Sequence, residues 1–178
     1  TFNFSGTASS GVNYTANSST AFNFTNSFTV AISPSTQKTI FTINAPSVSL
    51  GAYTFTGNAT KAQFNIAAGV NVITTHSAGL GGTSATGNFV SFTSIGNTAA
   101  DGRVVFGANS NYTFSGSTIT PFPIGGTWAT PNNVIVNNNI TSNHTTPFNL
   151  NGNLTIKTTR TFKLNASSKR VIPTKKSS

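Results

Sequence analysis

Apolar residues alternate with polar residues along most of this chain, and this period of two is what most limits how the chain can fold. A β-strand points successive side chains to opposite faces, so such alternation is typical of strands with one buried face. No stretch has the period of a helix. The sequence therefore predicts an all-β protein. The alternating apolar residues are Phe22, Phe24, Phe28, Val30, Ile32, Phe41, Ile43, Tyr53, Phe55, Ala62, Phe64, Ile66, Val104, Phe106, Tyr112, Phe114, Val134, Val136, Leu154, Ile156, Phe162 and Leu164.

Clusters of Gly, Pro, Asn and Ser, such as SPSTQ, TGNATK and PFPIGG, separate these stretches at intervals of about 8–12 residues. With a length of 178 residues, which fits one domain, this spacing predicts an antiparallel β-sandwich of the immunoglobulin-like, pilin-like or jelly-roll kind. A second interpretation stays open for the Asn-rich segment 134–156, which also fits two coils of a β-solenoid. No fixed repeat period continues elsewhere in the chain to support it.

The chain has a single acidic residue, Asp101, against ten Lys and Arg. Acid unfolding acts mainly through carboxylates that are charged in the native state, so a chain with one carboxylate has little stability to lose at low pH. Asn, Ser and Thr take over the role of solubilising the surface. This composition indicates an acidic or otherwise harsh exterior, or alternatively a glycan-coated protein at neutral pH.

The same scarcity excludes most enzyme chemistries. Paired-carboxylate hydrolysis and carboxylate metal sites need more than one acidic side chain, and the chain has no Cys for thiolate chemistry. A Ser–His–Asp triad would need Asp101 with His76 or His144, and no G-x-S-x-G motif supports one. The sequence predicts a protein that is not an enzyme, with no catalytic residues, no metal site and no cofactor.

Residues 1–14 form a strongly alternating segment, with apolar or small residues at even positions and polar or glycine residues at odd ones. The polar linker 15–20 separates this segment from the rest of the predicted domain, 21–178. A terminal strand on such a joint fits either an ordinary first strand or a donor strand that is added to the sheet of a neighbouring molecule. The candidate donor residues are Phe2, Phe4, Gly6, Ala8, Val12 and Tyr14.

Ten N-x-[ST] sequons occur in the chain, several of them on the polar face of a predicted strand or in a turn. A glycan at such a place would face water, so we expect several to be modified. The candidate glycosylation sites are Asn3, Asn13, Asn17, Asn23, Asn58, Asn111, Asn139, Asn143, Asn153 and Asn165.

Half of the basic residues lie near the C-terminus: Lys163, Lys169, Arg170, Lys175 and Lys176. The first interpretation is a solvated end, or charges that protect the edge of a terminal strand from aggregation. The second is contact with an anionic cell surface or with nucleic acid. No aromatic residues are interleaved with these lysines for base stacking, so nucleic acid is the less favoured partner.

The alternating N-terminal strand on a polar joint resembles the donor-strand-complemented pilins. The scarce carboxylates and dense sequons make the chain most similar to the glycosylated archaeal thread filaments of acid-loving cells. The resemblance implies an immunoglobulin-like sandwich that lacks one strand, which the N-terminal strand of a neighbouring copy supplies. The matching donor positions are Phe2, Phe4, Gly6, Ala8, Val12 and Tyr14. The absence of Cys departs from many bacterial pilins and favours the archaeal comparison.

The resemblance therefore implies an extracellular cell-surface filament, a homopolymer with N-linked glycans that serves adhesion or biofilm formation. The first residue is Thr, with no signal-like segment before it, as in a mature secreted chain. No apolar run reaches the roughly 20 residues of a membrane span. Two alternatives remain: a jelly-roll coat or surface protein whose basic tail binds nucleic acid or an anionic surface, and a secreted carbohydrate-binding module.

Overall fold

The computed structural model describes residues 12–30, 39–57, 61–81, 87–92, 94–96, 103–116, 131–142, 149–164 and 172–173. Within these ranges the chain forms strands and turns and no helix, which confirms the all-β prediction. The strands are β1 Val12–Asn17, β2 Phe22–Asn23, β3 Phe28–Val30, β4 Thr39–Asn44, β5 Ser47–Gly51, β6 Phe55–Gly57, β7 Ala62–Ile66, β8 Asn71–Thr74, β9 Phe89–Val90, β10 Ser94–Gly96, β11 Arg103–Phe106, β12 Asn111–Phe114, β13 Val134–Val136, β14 Ile140–Ser142, β15 Asn149–Leu150, β16 Leu154–Ile156, β17 Phe162–Leu164 and β18 Ile172–Pro173.

The strands build three main sheets, which we call A, B and C. Sheet A has the order β1-β4-β7-β11-β10, sheet B the order β16-β13-β12-β8-β5-β2, and sheet C the order β3-β6-β9. The pairs β14-β17 and β15-β18 form two further small sheets. In the first three coils the chain visits A, B and C in turn, so the chain is a β-solenoid. After each of the first two coils it returns to A one rung further along, whereas after the third it returns at β10, and β11 then lies between β7 and β10.

Every strand pairing in the described residues is parallel. The predicted antiparallel immunoglobulin-like or pilin-like sandwich is therefore wrong. The physical reason is that alternation reports which face of a strand is buried and carries no information on the direction of its neighbour. Turn signals were equally ambiguous, because a solenoid needs a corner after each strand just as a hairpin needs a turn.

The solenoid interpretation of segment 134–156 was the correct one, since Val134 pairs with Leu154 and Val136 with Ile156. The repeat is hidden elsewhere because the coils differ in length. Partners in sheet B are 20 positions apart for Val134 and Leu154, but 40 apart for Val72 and Tyr112. Parallel pairing depends on the register of the strands and tolerates loops of any length between them.

The core runs along the inside of the coils as columns of side chains from successive rungs. In sheet A, Tyr14, Phe41, Phe64 and Val104 occupy one column, and Ala16, Ile43, Ile66 and Phe106 the next. Aromatic rings also contact one another across the interior, with centroids 5.0 Å apart for Phe64 and Phe89 and 4.6 Å for Phe24 and Phe55. The first contact is edge-to-face and the second is tilted, and such ring pairs add to the stabilisation that burial of each ring gives.

Candidate assembly surfaces and the polar ladders that position them

Asparagine side chains are stacked from coil to coil where the chain enters sheet B. Asn71, Asn111, Asn133 and Asn153 each directly precede an inward-pointing residue of a sheet B strand. Asn111 Nδ2 donates to Asn71 Oδ1 at 2.8 Å, and Asn111 Oδ1 accepts from Asn133 Nδ2 at 2.9 Å. Asn153 N donates to Asn133 Oδ1 at 2.9 Å. This asparagine ladder holds four consecutive rungs of sheet B in register.

The turn before the ladder has a left-handed residue at the same place in two coils. Gly69 lies between β7 and β8 with φ 74°, and Asn109 lies between β11 and β12 with φ 57°. Glycine and asparagine are the residues that adopt this conformation at least cost. The turn between sheets A and B is therefore encoded locally in these two coils. It fixes the position of the ladder asparagine that follows two residues later, Asn71 or Asn111.

A second polar side chain, that of Asn88, lies at the corner between sheets B and C and bonds backbone groups there. Its side chain is fully buried, and Nδ2 donates to the carbonyls of Tyr53 at 2.7 Å and Gly51 at 3.1 Å. The Thr74 hydroxyl bonds Asn88 Oδ1. The register of β5 against β8 shifts between Ser49 and Gly51. Gly51 O also accepts from Thr75 N at 3.1 Å, so Asn88 adds a second hydrogen bond to Gly51 O and one to Tyr53 O beside this irregularity.

One end of sheet B is formed by β16, whose outer edge pairs with no strand among the described residues. Leu154 and Ile156 continue the inward columns of Val134 and Val136, both of which are fully buried. Leu154 is half-buried, however, and Ile156 is 43% exposed. Within the part of the chain that the structure describes, the last rung of sheet B thus presents apolar side chains and an unpaired strand edge.

The opposite end of sheet B is formed by β2, which pairs on one side with β5. Phe22 and Phe24 are half-buried there, with ring centroids 5.1 Å apart. Asn23 points outward and is exposed. Because all pairings in the sheet are parallel, the β2 edge and the β16 edge run in the same direction.

The two ends differ in charge. Lys157, Arg160 and Lys163 follow or belong to the last rungs and are all exposed. Residues 12–30, which form β1, β2 and β3, contain no Lys, Arg, His, Asp or Glu. The solenoid is therefore basic at the β16 end and uncharged at the β2 end.

Two of the six predicted donor residues lie within the described part of the chain, which begins at residue 12. Phe2, Phe4, Gly6 and Ala8 lie outside the described residues. Val12 and Tyr14 belong to β1, where Val12 pairs with Thr39 and Tyr14 with Phe41 of the same chain. Strand β1 runs to Asn17 and so crosses the predicted boundary at residue 14.

The predicted glycosylation sites have different environments. Asn13, Asn23 and Asn153 are exposed. Asn17 Oδ1 accepts from Asn44 Nδ2 at 3.2 Å, and Asn139 Oδ1 accepts from Thr161 N at 2.9 Å. Asn111 is half-buried in the asparagine ladder. The other four predicted sites, Asn3, Asn58, Asn143 and Asn165, lie outside the described residues.

The residues considered for a triad are not brought together in the described ranges. Asp101 and His144 lie outside them, as do the basic residues Lys169, Arg170, Lys175 and Lys176. His76 lies in a turn, where its Nδ1 accepts from Ala78 N at 3.0 Å, and partial burial lowers its pKa. No cluster of three metal-binding His, Cys, Asp or Glu residues occurs in the part of the chain that the structure describes.

No helix capable of crossing a membrane is found among the described residues. Comparisons with protein-family models, curated proteins and solved structures give no match to this chain.

The asparagine ladder was missed by the prediction, although a signal for it was present. Each ladder residue is an Asn directly before a short alternating strand, as in Asn71-Val72, Asn111-Tyr112, Asn133-Val134 and Asn153-Leu154. Asn111 and Asn153 were interpreted only as sequons. The edge positions of β2 and β16 among the described strands could not be found from sequence, because which strand lies at an edge depends on the pairing of all the others.

Proposed function

We propose that this chain is a structural subunit of an extracellular filament, which polymerises end to end with copies of itself. The observation that carries the proposal is that sheet B ends in β2 on one side and in β16 on the other, and the outer edge of each pairs with no other strand among the described residues. Both edges carry apolar side chains that are half-buried or exposed, and the two strands run in the same direction. Free edges are sites where another chain can pair. The uncharged Asn, Ser and Thr surface and the sequons support an extracellular location.

The polarity of the sheet determines the kind of assembly. A contact between the β16 end of one copy and the β2 end of the next is heterologous, and it leaves the same two ends free after each addition. Contacts of this kind give open fibres when the rotation does not close a ring. A parallel solenoid also adds one more rung of the same type at each contact, so no rearrangement of either subunit is required.

The energetic gain is modest for one rung and comes from burial and backbone pairing. Full burial of an Ile or Leu side chain contributes about 1.5–3 kcal/mol, and Ile156 is already partly covered, so its further burial contributes about 1 kcal/mol. Each backbone hydrogen bond adds about 0.5–1.5 kcal/mol. We therefore expect a reversible filament whose length depends on protein concentration.

Completion of a sandwich by a donated strand does not form part of this proposal, because the antiparallel acceptor it requires was overturned by the parallel sheets. The jelly-roll coat protein is not proposed for the same reason, since a jelly roll is an antiparallel fold. We retain polymerisation with copies of the same chain, but through contact between the β16 end of one copy and the β2 end of the next.

The test uses the purified chain at rising concentration, followed by negative-stain electron microscopy and sedimentation. We expect unbranched fibres one solenoid wide. Ile156→Lys places a charge in the column of Val136 and should block fibres, whereas Thr155→Lys on the same strand points outward and should permit them. Monomers of the unchanged chain at all concentrations would refute the filament. So would fibres that form equally well with Ile156→Lys.

A further inference from the structure

We infer that β16 of one copy pairs in parallel with β2 of the next, with Leu154 beside Phe22, Thr155 beside Asn23 and Ile156 beside Phe24. This inference rests on the proposed filament and specifies its contact. The partner is a second copy of this chain.

Continuity of the core columns carries the inference. One inward column of sheet B runs through Phe22, Val48, Val72, Tyr112, Val134 and Leu154. It begins and ends with a half-buried apolar residue, whereas the four between are buried. Placing Phe22 of a second copy on Leu154 continues the column through the contact, in the way that each rung follows the previous one within the chain.

The same register covers the most exposed apolar side chain of the last rung. Phe24 lies two positions after Phe22, and its backbone N donates to Ser49 O at 3.0 Å, so it extends the rung of β2. Ile156 lies two positions after Leu154 and is 43% exposed. In the inferred register the Phe24 ring therefore covers Ile156 and shields it from water.

Other registers do not satisfy both columns. A shift by one residue places Phe22 beside Thr155 and turns the whole strand to the wrong face. A shift by two residues places Phe22 on Ile156 but leaves Leu154 uncovered and sets Phe24 beside Thr158. The in-register contact alone among these pairs apolar with apolar residues and polar with polar ones.

Charge opposes contact between two β16 ends. Lys157, Arg160 and Lys163 are exposed there and would meet their own copies, whereas the β2 end carries no charged residue in 12–30. Like charges brought together across an interface weaken it. The basic end of one copy therefore accepts the uncharged end of another in preference to a second basic end.

The chain has no Cys, so introduced cysteines report the contact directly. Adjacent parallel strands lie about 4.8 Å apart, which is within the Cα separation of about 4.4–6.8 Å that a disulfide spans. We would mix Asn23→Cys protein with Thr155→Cys protein under mild oxidation and run the products on a non-reducing gel. Both positions are exposed and point outward, so neither change disturbs the core.

The expected result is a covalent heterodimer in the mixture and only monomer with either variant alone. The control is Asn23→Cys mixed with Lys157→Cys, whose Cα atoms would be about 8 Å apart in the inferred register, too far for a disulfide. Fibres in the microscope without the Asn23–Thr155 cross-link would overturn this contact while leaving the filament standing. A dimer from Thr155→Cys alone would overturn the polarity. Neither fibres nor cross-link would overturn both proposals.

Discussion

Asn111 donates its side-chain amide to Asn71 Oδ1 over 2.8 Å, although 40 positions separate the two residues in the chain. The bond spans the largest gap between successive sheet B partners and keeps β12 directly beside β8. The same side chain also accepts three hydrogen bonds from Asn132 and Asn133. One asparagine thus joins three consecutive coils.

Replacing Asn111 by Ala should lower the free energy of unfolding by about 1–3 kcal/mol, because it removes the acceptor of the half-buried Asn132 and Asn133 amides and of Asn133 N. Urea denaturation followed by circular dichroism measures the change. The control is Asn137→Ala, since Asn137 is exposed and bonds Ser115 Oγ only at 3.5 Å. Equal stability of the two variants would contradict a structural role for the ladder.

The ladder also predicts which sequons accept a glycan in the folded protein. A glycan on Asn111 would be attached to the nitrogen that bonds Asn71, among the side chains of Asn132 and Asn133. We expect a purified oligosaccharyltransferase to modify exposed Asn13 and Asn23 and to spare Asn111. In the urea-unfolded chain, diluted immediately before the reaction, all three should react. Mass spectrometry of peptides measures occupancy, and a folded chain glycosylated at Asn111 would contradict the prediction.

Asn88→Leu keeps the approximate size of a buried side chain but removes both donors to the carbonyls of Gly51 and Tyr53. We expect the free energy of unfolding to fall by about 1–3 kcal/mol, because Tyr53 O loses the Asn88 donor and the Thr74 hydroxyl loses its buried acceptor, whereas Gly51 O keeps its bond from Thr75 N. Thr74→Val removes the hydroxyl that bonds Asn88 Oδ1 and accepts from His76 N at 3.1 Å. It leaves both Asn88 bonds to backbone carbonyls in place and should cost less. Thermal unfolding of both variants ranks them, and the reverse order would contradict this account of the corner.

Two glycines at the A–B corner should respond differently to substitution. A Cβ on Gly107 would lie 2.3 Å from the backbone N of Ala68 in the neighbouring coil, so Gly107→Ala must push two rungs apart and should be strongly destabilising. A Cβ on Gly69 meets nothing within 4 Å, and its φ of 74° resembles that of Asn109 in the next coil. Gly69→Asn should therefore lower the melting temperature much less than Gly107→Ala does. Similar losses would show that close approach is not what Gly107 provides.

His76 should make the stability of the folded protein depend slightly on pH, although the chain has only one acidic side chain. Burial lowers the pKa of His76 in the folded state below the ordinary value of 6.5, and its Nδ1 accepts from Ala78 N only while unprotonated. The unfolded chain then binds more protons than the folded chain. The contribution of unprotonated His76 to the free energy of unfolding is therefore complete above pH 6.5 and is lost as the pH falls through the folded pKa. Melting temperatures from pH 8 to pH 4 should show this loss, and His76→Asn, which keeps an acceptor, should reduce it. An unchanged profile in His76→Asn would exclude His76 as its source.

The sequence by itself determined the face that each strand buries. Phe41, Ile43, Phe64 and Ile66 alternate with polar residues and all point into the core, because a strand places every second side chain on the same side whatever its neighbours are. The pair of coils containing Val134 and Leu154 was also visible, because only 20 positions separate its partners and both strands follow an Asn.

Only the tertiary structure decided the direction of pairing, the partner of each strand and hence the ends of the sheets. Parallel and antiparallel sheets can use the same alternation, so Phe22 and Phe24 fit either architecture until β2 is placed beside β5. The sequence alone does not show that Val72 and Tyr112, which are 40 positions apart, lie on neighbouring strands. The exposure of Ile156, in contrast to buried Val136, follows from its position in the last rung. Local propensity cannot encode that difference, because whether a rung is last depends on which strand occupies the adjoining edge.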